Sequence, residues 1–140
     1  MTPEAALERA NAQFYAALSL ADLGAMQRVW WASENAVCTH PGWQAIYGWS
    51  AIRESWQNIF AQQGPLHVWA TEVQVRVYGQ TAEVHCLENI DSGQLPNTGI
   101  LQTQATNIFR LVKNDWKLLD YHAFVRRTNQ IQQLERFSRN

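Results

Sequence analysis

The sequence predicts an α+β fold in which helices come first and antiparallel strands follow. Apolar residues recur at helical spacing as far as about Gln63, and from Trp69 onward they recur at every second position. The two patterns do not alternate along the chain, as a parallel βαβ architecture would require. At 140 residues there is room for one domain. Residues 1–125 read as that domain and residues 126–140 as a basic tail, compatible with a short helix through Ile131, Leu134, Glu135 and Phe137.

Thr2-Pro3-Glu4 supplies an N-cap, a first-turn proline and an early acid before Leu7, Ala10, Phe14, Ala17 and Leu18, which predicts a first helix to about Ser19. Asp22 is placed to cap a short second helix through Leu23, Met26, Val29 and Trp30, with Gly24 its weak point. Ala36 to Thr39 reads as a short strand. It leads into His40-Pro41-Gly42, where proline disfavours a helix and glycine permits a turn. Ser50 is the expected N-cap of a third helix whose stripe is Ile52, Trp56, Ile59 and Phe60, and Gly64-Pro65 ends it.

Trp69, Thr71, Val73, Val75 and Val77 then alternate with Ala70, Glu72, Gln74 and Arg76. Gly79-Gln80 turns the chain into a second long strand, Thr81 to about Ile90. After the loop DSGQLPNTG come a third strand from about Ile100 to Val112, a tight Asn114-Asp115 turn, and a fourth strand from Trp116 to Val125. On that last strand Asp120, His122 and Phe124 share one face; Leu119, Tyr121, Ala123 and Val125 share the other. One face should cover the helices and the other should meet a second subunit, so a homodimer through the sheet face is expected.

Eleven Lys plus Arg against twelve Asp plus Glu leave a formal charge of −1, which gives no global field to draw in nucleic acid or an anionic membrane. Arg126, Arg127, Arg136 and Arg139 against Glu135 make the tail locally basic, as a solvated or partner-packing segment would be. There is no apolar run of membrane-spanning length and no signal-peptide pattern at MTPEAALERA, so a cytoplasmic protein is expected. Cys38 and Cys86 have no metal-ligand spacing and read as buried free thiols.

P-loop, GxSxG, HExxH and dinucleotide motifs are absent. What remains is polar residues among seven tryptophans, four tyrosines and five phenylalanines. His40, with Trp30, Trp43 and Trp56 near it in sequence, is either a base working near neutral pH or a residue that ties its turn together. Asp120 and His122 either orient an imidazole over a cavity or form a satisfied pair. Asn107, on the parity of Thr103, Ala105 and Phe109, either donates to a ligand or satisfies backbone. Glu88 is either a cavity acid or half of a surface pair. Tryptophans on the short helices and the His40 turn favour an aromatic-lined cavity for an apolar ligand.

The run FYAALSLADLGAM, with its D-L-x-x-M second helix, followed by a strand into an x-P-G turn, a G-x-x-A-I-R third helix and four long strands, resembles the NTF2-like superfamily. The likeness is to its SnoaL-like and ketosteroid-isomerase-like members, over about residues 5 to 125. It implies a cone-shaped, cystatin-like fold, a curved antiparallel sheet wrapped around a long N-terminal helix with a central pocket, in a homodimer joined through the sheet.

In ketosteroid isomerase the tyrosine before a V-A-A-L run is matched here by Phe14, the Asp-Pro base by His40-Pro41, and the protonated aspartate before x-Phe-Arg by Asn107. Steroid isomerisation is therefore not expected. Scytalone dehydratase, another relative, uses histidine and aspartate, which a His40, Asp120 and His122 set is similar to. The expectation is a small-molecule enzyme of isomerase, dehydratase or cyclase type, with no metal and no cofactor. His40 would be the base, Asn107 would polarise an oxygen, and His122 with Asp120 would assist. Phe14, Trp30, Trp43, Trp56, Glu88, Phe109 and Phe124 would hold an apolar, cyclic substrate. The alternative is a non-catalytic ligand-binding or dimerisation module.

Overall fold

The computed structural model describes residues 1–63, 66–91 and 100–125. The tail, the Gly64-Pro65 helix stop and most of the DSGQLPNTG loop lie outside the described residues. Helix α1 spans Pro3–Leu20, α2 Leu23–Val29 and α3 Trp49–Gln62. The strands are β1 (Val37–Thr39), β2 (Ile46–Tyr47), β3 (His67–Tyr78), β4 (Thr81–Asp91), β5 (Leu101–Val112) and β6 (Asp115–Val125). They form one six-stranded sheet in the order β2-β1-β6-β5-β4-β3. This is the expected α+β, cystatin-like arrangement, with α1 laid along the inner face of the sheet. Among the described residues no helix is long and apolar enough to cross a membrane.

Thr2 caps α1 by accepting from the Ala5 amide at 3.1 Å, and Asp22 caps α2 by accepting from Ala25 at 3.0 Å. Helix α1 buries Leu7, Ala10, Asn11, Phe14, Tyr15 and Ala17. Its end is tied to β3 by Ser19, whose hydroxyl donates to the Val68 carbonyl and accepts from the Val68 amide.

Four local expectations are corrected. The cap of α3 is Gly48, at φ 86°, and not Ser50, which lies inside the helix. The Gly48 amide is committed to the Ala36 carbonyl, which fixes where the chain turns into the helix. The β5–β6 turn is centred on Lys113-Asn114, at φ 49° and 69°, and not on Asn114-Asp115. Two left-handed residues in succession match the twist of the paired strands.

The alternation predicted for β3 is broken by a bulge in which Glu72, at φ 52°, and Val73 together oppose Cys86. Val68 and Ala70 pack inward before the bulge, and Val75 and Val77 after it. A second irregularity, at Leu119, puts Leu118 rather than Leu119 on the core face with Tyr121 and Ala123. Strand β1 pairs parallel to β6, and this sets the His40 turn beside the end of that strand.

Candidate functional site

Strand β1 ends at Thr39, and the next residue, His40, turns inward at 3% exposure. Its turn closes with the Trp43 amide on the His40 carbonyl, Gly42 taking φ 82°. His40 Nε2 lies 2.9 Å from Ser55 Oγ, whose own hydrogen goes to the Ile52 carbonyl at 2.7 Å. The hydroxyl must therefore accept from the imidazole, which places the ring hydrogen on Nε2 and leaves a lone pair on Nδ1. Trp56 and Trp43 meet the ring edge-on at 4.6 and 4.7 Å, and Tyr121 lies 6.3 Å away. Burial lowers the imidazole pKa to about 4, so the ring is neutral near pH 7.

The hydroxyl end of Tyr121 meets Glu88, 2% exposed on β4. Thr103 Oγ1 donates to one carboxyl oxygen at 2.6 Å and the Tyr121 hydroxyl donates to the other at 2.7 Å. Burial raises the carboxyl pKa, against the lowering effect of Thr103, Tyr121 and Tyr15. Both phenols are raised well above the usual tyrosine value, by burial first and the nearby Glu88 next.

Tyr15 joins this carboxyl to an amide cluster. Its hydroxyl lies 3.3 Å from Cys86 Sγ and accepts from Asn107 Nδ2 at 3.1 Å; Asn107 Nδ2 also donates to Asn11 Oδ1 at 2.7 Å. Glu88, Asn107, Asn11, Tyr15, Tyr121, Thr103 and His40 are all buried within one aromatic and aliphatic core. Phe14 fills the space between them, edge-on to Tyr15 at 4.8 Å and to Trp56 at 5.8 Å, and 4.9 Å from Tyr121.

The predicted residues divide. His40, Asn107, Phe14, Trp56, Glu88 and Phe109 all point into this core. Glu88 is buried, which excludes the surface pair, and it lines none of the cavities found among the described residues. Trp43 covers the outer edge of His40 and is 49% exposed. Trp30 is buried, but its ring lies against Trp49 at 5.8 Å and not against His40. His122, Asp120 and Phe124 belong on the opposite side of the sheet, because Tyr121 and Ala123, their alternates on β6, face the core. The expectation that Asp120 and His122 join His40 and that Phe124 lines the same pocket is corrected on that ground.

A cavity of about 590 Å³ lies along the far side of α1 against β3, lined among others by Asn11, Tyr15, Ala16, His67 and Trp69. Neither His40 nor Asn107 lines it. A second, of about 560 Å³, sits on the outer sheet face around His85, Gln104, Thr106 and Phe124. Both cysteines are free and buried. Among the described residues no group of three His, Cys, Asp or Glu side chains is placed to hold a metal ion.

Tyr15, Tyr121, Asn11 and Ser55 were not singled out by sequence. A signal existed for two of them: Asn11 and Tyr15 stand four and eight residues after Leu7, on its face of the helix.

The family model of the SnoaL-like domain matches residues 7–125, from α1 through β6. The chain belongs to the SnoaL-like family. Among solved structures it is similar to a candidate dehydratase of the NTF2-like family from Streptomyces avermitilis, at 31% identity and a TM-score of 0.81, covering 91% of this chain and all of that one. A candidate calcium/calmodulin-dependent protein kinase type II association domain from Thiobacillus denitrificans shares the fold, at 24% identity and a TM-score of 0.77, over 90% of this chain and 96% of that one. An F-box protein, SKIP8, of Arabidopsis thaliana is 24% identical over 117 residues. That match takes in 82% of this SnoaL-like chain, which spans about half the length of that relative, 47%.

Proposed function

We propose that this SnoaL-like protein binds a small apolar, cyclic molecule, admitted to its packed aromatic core where the half-exposed Trp43 covers His40, and, without a cofactor, moves a proton on it as a dehydratase or isomerase does. One observation carries the reading: Tyr121 has a neutral imidazole 6.3 Å from its ring and donates its hydroxyl hydrogen to a carboxyl group whose pKa burial raises. Environments that push an acid up and a base down assign the two roles. His40 Nδ1 takes a proton from carbon, and Glu88 gives one to a departing hydroxyl, which leaves as water. Transfer of the proton from the imidazolium back to the carboxylate restores both groups. Burying these groups costs stability, and that cost is commonly met at sites of chemistry. The likeness to the Streptomyces avermitilis candidate dehydratase supports the same class.

The probe is 3-hydroxy-1-tetralone, a cyclic β-hydroxy ketone that loses water to give fluorescent 1-naphthol. The wild-type protein is expected to accelerate naphthol formation, and His40→Gln and Glu88→Gln to lower the rate at least a hundredfold while remaining folded. Unchanged rates in both variants would overturn the assignment.

A second reading, a non-catalytic ligand-binding or dimerisation module, is favoured by the packing of Trp43 and Trp56 against the His40 ring, which leaves it 3% exposed. Binding of the probe without acceleration by the wild-type protein would establish that reading instead. In either case we propose a homodimer joined through the outer sheet face, where Phe124 stands 42% exposed beside His122.

A further inference from the structure

Two grooves run along α1, and they carry opposite charge. The cavity of about 590 Å³ between α1 and β3 is lined by the carboxylate of Glu8 and, among the described residues, by no lysine or arginine. Arg9, the next residue, lines instead the groove of about 850 Å³ beside α2, together with Arg28 and Lys117. Glu4, one helical turn before Glu8, is a second acid. Among the described residues Glu8 forms no ion pair, so the charge of the groove against β3 is negative and uncompensated.

The strand side of this groove adds an acceptor. Strand β3 is the edge of the sheet. The amide and carbonyl of Val68 both meet the Ser19 hydroxyl, so they point away from β4. The Trp69 carbonyl meets Asn89 of β4, which is the alternation of a strand. Ala70 therefore turns its amide and carbonyl outward like Val68, beside the cavity it lines, and no side chain among the described residues takes them. The helix side is cut back at Ala12 and Ala16, one turn apart, which leaves room for a flat ring. Trp69, its ring 4.5 Å from that of His67, brings an aromatic face, which attracts cations. At the base Asn11 and Tyr15 are buried and fixed by hydrogen bonds from Asn107 at 2.7 and 3.1 Å.

We propose that the groove between α1 and β3 is a second ligand site and that it takes an organic cation, a protonated amine carried on a flat, apolar body. The Glu8 carboxylate selects the charge, and the Ala70 carbonyl accepts from an N–H of the ligand. An anion is refused, because no cationic side chain lines the groove to meet it. The site is separate from the interior of His40 and Glu88 and does not rest on the reading proposed for them.

Three probes share one ring system and differ in charge: tryptamine, its neutral alcohol tryptophol, and the anion indoleacetate. Isothermal titration calorimetry of the whole chain at pH 7 is expected to rank them in that order, with tryptamine ahead of the alcohol by about fivefold or more. Added salt should shrink that lead. Glu8→Gln should bring tryptamine down to the level of tryptophol, and Ala12→Trp, at an exposed helix position that lines the groove, should weaken all three. Equal affinities, an anion that binds best, or no binding of tryptamine by the wild-type protein overturns the proposal. A lead that survives in Glu8→Gln overturns the role of Glu8, and undiminished binding by Ala12→Trp places the ligand outside the groove. The wild-type ranking decides the charge class even if a variant does not fold.

Discussion

Burial lowers the pKa of His40 to about 4, whereas an unfolded imidazole titrates near 6.5. Between those values the unfolded chain binds a proton that the folded chain does not. Stability therefore falls as the pH drops from about 6.5 toward 4, by about 3 kcal/mol over the whole window. His40→Gln, which cannot titrate, is expected to flatten that limb when urea midpoints are measured from pH 7 to pH 4. A limb unchanged from wild type would mean that the histidine is accessible to protons in the folded state. At this scale the sequence reached His40 and Asn107 through their neighbours Pro41 and Phe109-Arg110. It left Glu88 open, because β4 buries Val84, Cys86 and Glu88 on one face and Leu87 and Asn89 on the other. The alternation that runs from Thr81 to Cys86 is lost where both faces are covered, and Glu88 lies in that stretch.

Helix α3 carries Ser55 and Trp56, and it starts at a glycine whose φ of 86° is costly for any side chain. An added Cβ at Gly48 would have the Glu34 carbonyl oxygen 3.9 Å away, an ordinary contact, so the penalty is conformational and not steric. Gly48→Ala is expected to lower stability by about 1 kcal/mol. Urea denaturation checks it, and a loss below the error of the measurement would count against this account of the helix start. The sequence pointed to Ser50 because serine is a good cap in general. The hydrogen bond from the Gly48 amide to Ala36, a contact with the β1 edge, decided otherwise. The bulges have the same origin. The period-two pattern in β3 is continuous through Val73, Val75 and Val77, yet the extra residue at Glu72–Val73 turns the inward face over between Ala70 and Val75.

At the scale of the whole molecule, the helices cover one face of the sheet and leave Phe124 and His122 on the other. If that face joins two copies, light scattering at micromolar concentration should report twice the 16.1 kDa chain mass. Phe124→Asp should return the chain to its own mass with the far-ultraviolet circular dichroism unchanged. A wild-type monomer would remove the sheet-face dimer. The substitution lies on the opposite side of the sheet from Glu88 and His40, so a change in interior ligand affinity would show that the two faces communicate through β6.

By itself the sequence determined the order of helices and strands, because helical and strand periodicities are local properties of a few adjacent residues. It also determined the place of the turn carrying His40, because proline and glycine restrict the backbone where they stand. Only the tertiary structure decided which side chains meet. The phenols of Tyr15 and Tyr121, the carboxyl of Glu88 and the amide of Asn107 come from α1, β6, β4 and β5, and their contact depends on register across four elements. Two bulges, each one residue long, move that register by one place and exchange the faces of everything beyond them. The same dependence on register places Asp120 and His122 on the outer face and Glu88 in the interior, so that the burial which raises the Glu88 pKa and lowers that of His40 is a property of the folded chain alone.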